Sequence, residues 1–149
     1  MMLTSTQIGE LATQFFIAGV GTLCFAVLFA CPRKSLFFCG LVGAVGWFVY
    51  ELAVMLGADS AAASLLAVIP LTLLTRVFAI TLKMPVTVFL LSGIFPLVPG
   101  AGIYYTAYYF LQGEQELFAS KGGETFKVAL ALALGIALVC SLPLPGGHE

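Results

Sequence analysis

Residues 11–31 read LATQFFIAGVGTLCFAVLFAC, a run without a single charge. A helix needs roughly 20 apolar residues to cross a hydrocarbon layer of about 30 Å, and this run is long enough. The pattern then repeats along the chain. Residues 35–56 (SLFFCGLVGAVGWFVYELAVML) carry one charge, Glu51. Residues 61–82 (AAASLLAVIPLTLLTRVFAITL) carry one, Arg76, and hold Pro70 in their interior. Residues 85–112 are apolar and aromatic but interrupted by Pro96, Pro99, Gly100 and Gly102. Residues 125–142 (TFKVALALALGIALVCSL) are the last apolar run, after the polar stretch GEQELFASKGGE at 113–124. The expected fold class is an all-α integral membrane protein. Residues 1–149 form a single polytopic domain, a bundle of about five transmembrane segments (11–31, 35–56, 61–82, 85–112, 125–142). The fourth is expected to break at Pro96–Gly102.

Composition agrees with that reading. Of 149 residues, 61% are hydrophobic and 9% charged, against roughly 45–50% and about 25% in soluble domains. With a mean hydropathy of +1.11, too little polar surface exists to coat a water-soluble particle. A soluble enzyme and a disordered tail are excluded. The net charge of -1 comes from six Lys+Arg and seven Asp+Glu. It offers no basic field for phosphates, so no nucleic acid partner is expected. The partner is the lipid bilayer. The run ALALALG (129–135) alternates Ala with Leu, not polar with apolar, and lacks the polar lumen face of a barrel strand. Glu10 is the only charge before Pro32, so a cleaved signal peptide is not expected.

Arg33, Lys34 and Lys83 fall at one end if the first three helices alternate. The positive-inside tendency makes that end cytoplasmic and the N-terminus external. Residues 85–112 either cross as a broken helix or re-enter as a hairpin, and both stay open. Gly40, Gly43 and Gly46 in the second segment, and Ala129, Ala133 and Ala137 in the last, are small residues that let helices approach closely in lipid.

Little here supports catalysis. Cys24, Cys31, Cys39 and Cys140 lack CxxC spacing and lie in or beside apolar runs, where a free thiol behaves as a small hydrophobe. His148 is the only histidine. No metal site, cofactor or hydrolytic pair is expected, and the chain is not read as an enzyme.

Three features carry functional interest. Arg76 and Glu51 are ionisable groups within membrane segments, each costing at least about 2.5–3.5 kcal/mol on insertion scales. On straight helices they differ in depth by about 14 Å, so no mutual salt bridge is expected. Arg76 either snorkels to headgroups or attracts anions. Glu51 either reaches the interface or couples protons. The second feature is the break itself. Pro96 and Pro99 lack an N–H, and an opened backbone at membrane depth is tolerated only inside protein or beside a water-filled cavity. A half-helix starting near Gly100 offers the N–H groups of Gly100, Ala101 and Gly102 to a carboxylate. The third is the aromatic group Tyr104, Tyr105, Tyr108, Tyr109 and Phe110, which reads as an interfacial belt or as one wall of a solute path. The candidate path comprises Arg76, Ser92, Pro96, Pro99, Gly100, Ala101, Gly102 and Tyr104, with Glu51 as the candidate proton-coupling residue.

These residues carry a resemblance. GIFPLVPGAGIYYTAY (93–108) resembles the hallmark segment of the threonine/serine exporter (ThrE) family, in its C-terminal membrane half. FACPRKSL (29–36), LVGAVGWFVYELA (41–53) and KMPVTVF (83–89) add to the likeness, which runs over nearly the whole chain. Pro96, Pro99 and Gly100 are its most specific part. The resemblance implies a stand-alone small subunit of the YjjB type in a split exporter, located in the bacterial cytoplasmic (inner) membrane. It implies a second, YjjP-like ThrE-type membrane subunit as partner. It also implies a small carboxylate-bearing solute such as threonine, serine or a succinate-like dicarboxylate, with the proton-motive force as driver. The family implies no residue-level mechanism. A non-transporting scaffold subunit and a small-solute channel are the alternatives.

Overall fold

The computed structural model describes residues 5–143; the single histidine, His148, lies outside the described residues. Six α-helices follow one another: α1 (Ser5–Leu28), α2 (Leu36–Met55), α3 (Ser60–Leu82), α4 (Val86–Gly93), α5 (Gly100–Gln112) and α6 (Gln115–Cys140). A 3-10 turn, Phe95–Leu97, stands between α4 and α5. Four helices are long and apolar enough to cross a membrane. The α4–α5 pair counts as a fifth crossing if it is taken as one span bent by 57°. The protein is an all-helical, multi-pass membrane protein.

Small residues set the packing. α1 and α2 run antiparallel, with Gly40 against the Gly19 carbonyl and Gly43 so close to Thr22 that a Cβ there would sit 2.7 Å from the Thr22 Cβ. α2 meets α3 where Gly46 faces Leu71 and Phe38 stacks edgewise on Phe78. In lipid such close contact replaces the burial of apolar surface from water as the cause of association. α4 rises beside α2, from Val88 near Cys39 to Gly93 against Val42. α6 runs parallel to α3: Val128 is near Ser60 and Ser64 across one cavity, Gly135 abuts Val68, and Val139 meets Arg76. The core gathers Val42, Val68, Leu71, Leu97, Val128 and Leu132.

The last helix departs from its sequence expectation. The apolar run begins at 125, yet α6 begins at Gln115. Tertiary packing explains the extra turns. Gly113, at φ 76°, takes the left-handed conformation that ends α5, and the chain returns at once. Phe118 then packs on Phe110 with ring centroids 5.5 Å apart. A Cβ on Gly122 would stand 3.2 Å from the Thr106 methyl. α5 therefore supplies a partner for a polar stretch in which a glycine pair interrupts otherwise good helix formers.

Candidate functional site at the α4–α5 break

The break forms for local reasons. Val98 precedes a proline and is pushed to extended backbone (ψ 128°). Pro99, at φ -77° and ψ 59°, forms an inverse γ-turn closed by the Gly100 N–H donating to the Val98 carbonyl at 2.7 Å. Two anchors hold the break. Leu97 is buried in the core, and the Phe95 ring stacks on Phe25 with centroids 3.9 Å apart.

This turn corrects one expectation. The Gly100 amide is not free, because the Val98 carbonyl takes it. The Ile103 amide reaches the Pro99 carbonyl. The amides of Ala101 and Gly102 are left without a backbone acceptor. Those two belong to the first turn of α5, where aligned peptide dipoles place roughly half a positive charge.

A cavity of about 460 Å³ opens at this point. Its lining is the break, Pro96 to Gly102, together with Trp47 and Tyr50 from α2, Ser60 and Ser64 from α3, and Lys121, Glu124 and Thr125 from α6. Gly102 is the closest approach of α5 to α6, since a Cβ there would collide with the Thr125 side chain. Thr125 Oγ1 donates to the Lys121 carbonyl at 2.8 Å, and Thr106 Oγ1 to the Gly102 carbonyl at 2.7 Å. Gly100 is different: a Cβ there meets nothing within 4 Å. The Trp47 and Tyr50 rings stack at 5.3 Å, and the Trp47 indole N–H donates to Gln14 Oε1 at 3.1 Å. Lys121 Nζ lies 2.8 Å from Glu124 Oε2, the only ion pair among the described residues.

The candidate residues from the sequence do not all meet. Pro96, Pro99, Gly100, Ala101 and Gly102 line the cavity together. Ser92 is buried in α4, its hydroxyl donating to the Val88 carbonyl at 3.0 Å. Tyr104 points away from the cavity and is 64% exposed, whereas Tyr105 lines it. Arg76 lies apart; its guanidinium donates to the Val139 carbonyl, in the last turn of α6. A cation there also complements the negative end of that helix. Glu51 opens into a second cleft, with Glu10, Thr13 and Gln14, between α1 and α2.

Trp47, Tyr50, Ser60, Ser64, Lys121, Glu124 and Thr125 escaped the sequence reading. No spacing pattern connects 121–125 with 96–102; only the return of α6 along α5 does. At the other end of the bundle, the Cys31 and Cys39 thiols both donate to the Val88 carbonyl, at 3.8 and 3.7 Å. Burial, together with neighbouring Cys39, pushes the Cys31 thiol up from its ordinary range. Among the described residues no group of three or more His, Cys, Asp or Glu is placed to hold a metal ion.

Residues 14–142 match the family model described as threonine/serine exporter, ThrE. The chain belongs to the ThrE family. No curated protein and no solved structure matches it. In this ThrE-family chain the match takes in α2 to α6 entire, the break and every wall of the cavity. Membership makes the protein one of a family of exporters, a transport fold and not a catalytic one.

Proposed function

We propose that the chain is one subunit of a secondary exporter for small carboxylate-bearing solutes in the bacterial cytoplasmic membrane. It works with a second, YjjP-like subunit of the ThrE type. One observation supports this reading in a chain of an exporter family: Ala101 and Gly102, whose amides lack a backbone acceptor, line a cavity of about 460 Å³ at the helix break. Discontinuous helices form carboxylate sites in transporters for the same reason.

In this scheme the Ala101 and Gly102 amides hold the solute carboxylate, and Pro96, Pro99 and Gly100 keep the backbone open. Arg76 lines no part of the cavity, so its proposed role is to raise anion occupancy from the end that bears Arg33, Lys34 and Lys83. Glu51, in its separate cleft, is the proposed proton-coupling carboxylate.

Reconstitution of the chain with its partner tests the proposal through counterflow of labelled threonine and of labelled succinate. Saturable, gradient-coupled flux of either solute supports the exporter. Non-saturable flux would mark a channel, and flux by the partner alone would mark a scaffold. Glu51→Gln should leave solute binding intact and weaken the dependence on the pH gradient; unchanged coupling removes Glu51 from the scheme.

A further inference from the structure

The cavity at the break carries formal charge on one wall only, at Lys121 and Glu124. They sit at i and i+3 on α6, paired at 2.8 Å, with side chains 43% and 57% exposed. Pairing there gives the helix little, since exposed i,i+3 pairs are weak. Both charges stand where a solute at the break would meet them. The same cavity has aromatic lining: Trp47 and Tyr50 are stacked, and the Trp47 indole N–H donates to Gln14 Oε1. Tyr105 adds a third ring. Aromatic faces attract cations and offer nothing to a carboxylate.

Charge balance decides what such a cavity accepts. A zwitterion brings one charge of each sign. Its ammonium replaces Lys121 on Glu124, its carboxylate, held at the Ala101 and Gly102 amides, also takes the freed Lys121, and no charge is left unpaired. A dianion can take Lys121 only by stripping it from Glu124. That step leaves a bare carboxylate beside two others, a like-charge arrangement that costs binding. We infer that the Lys121–Glu124 ion pair is the specificity determinant of this cavity: it exchanges with a zwitterionic solute and turns away a dianion. The inference rests on the exporter reading above but concerns different residues, on α6 instead of at the break.

The test uses the full chain with its partner in proteoliposomes, comparing counterflow of threonine and of succinate at matched protein levels. The wild type should favour threonine. Glu124→Gln frees Lys121 for a second carboxylate, and the threonine-to-succinate ratio should fall about two- to fivefold, the scale of an exposed charge pair. Glu124→Asp keeps the charge and should hold the ratio near wild type. Lys121→Gln should lose threonine without gaining succinate. An unchanged ratio in Glu124→Gln, or an equal loss of both fluxes, overturns the inference and leaves the exporter standing. A wild type that prefers succinate also overturns it. A wild type that moves neither solute overturns the exporter reading itself.

Discussion

Gly102→Ala is the sharpest perturbation of the break. Gly102 lies in the first turn of α5 with its back to α6. An added methyl would collide with Thr125 Oγ1 and stand 3.3 Å from both the Cβ and the Cγ2 of the same residue. All three obstructing atoms belong to one side chain. Relief comes in two ways. Thr125 rotates about χ1 and gives up its bond to the Lys121 carbonyl, a loss of about 0.5–1.5 kcal/mol. Alternatively α5 backs away, an overpacking cost of about 1–3 kcal/mol. Against either stands a gain of up to about 1 kcal/mol for Ala over Gly in a helix. The expected net effect thus lies between near zero and about 3 kcal/mol of destabilisation, and membrane protein levels of the variant are measured alongside. Under the proposed carboxylate site, transport should be more sensitive, because a shift of a few tenths of an ångström moves the Ala101 and Gly102 amides. Thr125→Ala removes Oγ1 and Cγ2 and leaves only the tolerable Cβ contact. The double variant should therefore recover most flux, with a favourable coupling of about 0.5–3 kcal/mol in a double-mutant cycle. Thermal unfolding in detergent and counterflow in proteoliposomes measure the two quantities. Wild-type flux in Gly102→Ala, or additive effects in the cycle, would refute the close-approach argument.

Other perturbations separate the remaining roles. Gly100 lines the cavity and a Cβ there meets nothing within 4 Å, so Gly100→Leu should accumulate normally while efflux is lost; normal efflux with normal accumulation removes the cavity from the solute path. Arg76→Ala strips the donor from the Val139 carbonyl and should cost about 1.5–3 kcal/mol, the usual worth of a bond to a charged group; Arg76→Lys restores charge but not the planar fork, so thermal shifts and efflux in the pair tell anchoring from anion attraction. The Cys31 thiol, whose pKa is pushed up by partial burial and by Cys39, should alkylate more slowly than a free thiol at a given pH. Since its pKa is raised, less thiolate exists below the folded value and the rate should climb only at more alkaline pH. Cys39→Ala should quicken it, and iodoacetamide rates across pH measure this.

The Lys121–Glu124 pair shows how legible the site was in advance. The backbone half of the cavity was readable, because Pro96, Pro99, Gly100 and Gly102 break a helix through covalent geometry, which acts within a few residues. Even there the Gly100 amide was misjudged: whether Pro99 closes a γ-turn depends on its ψ, which proline leaves free. The side-chain half was not readable. Lys121 and Glu124 look like an ordinary solvated pair until α6 doubles back along α5. Tyr104 and Tyr105 are indistinguishable in sequence, yet only Tyr105 faces the cavity.

From its residues alone the chain determines that it is helical, that it spans lipid several times and where the α4–α5 segment is broken. Hydropathy over about 20 residues and the missing N–H of proline are local properties, independent of what packs nearby. Tertiary structure decided which helices run parallel, how far α6 extends beyond its apolar run and which charges share the cavity. It also set Arg76 and Glu51 apart from the break. Those outcomes depend on which glycine meets which side chain across helices distant in sequence, as Gly102 meets Thr125 and Gly135 meets Val68. No local rule encodes such encounters, because each is settled by steric fit between two surfaces that exist only once both helices have formed.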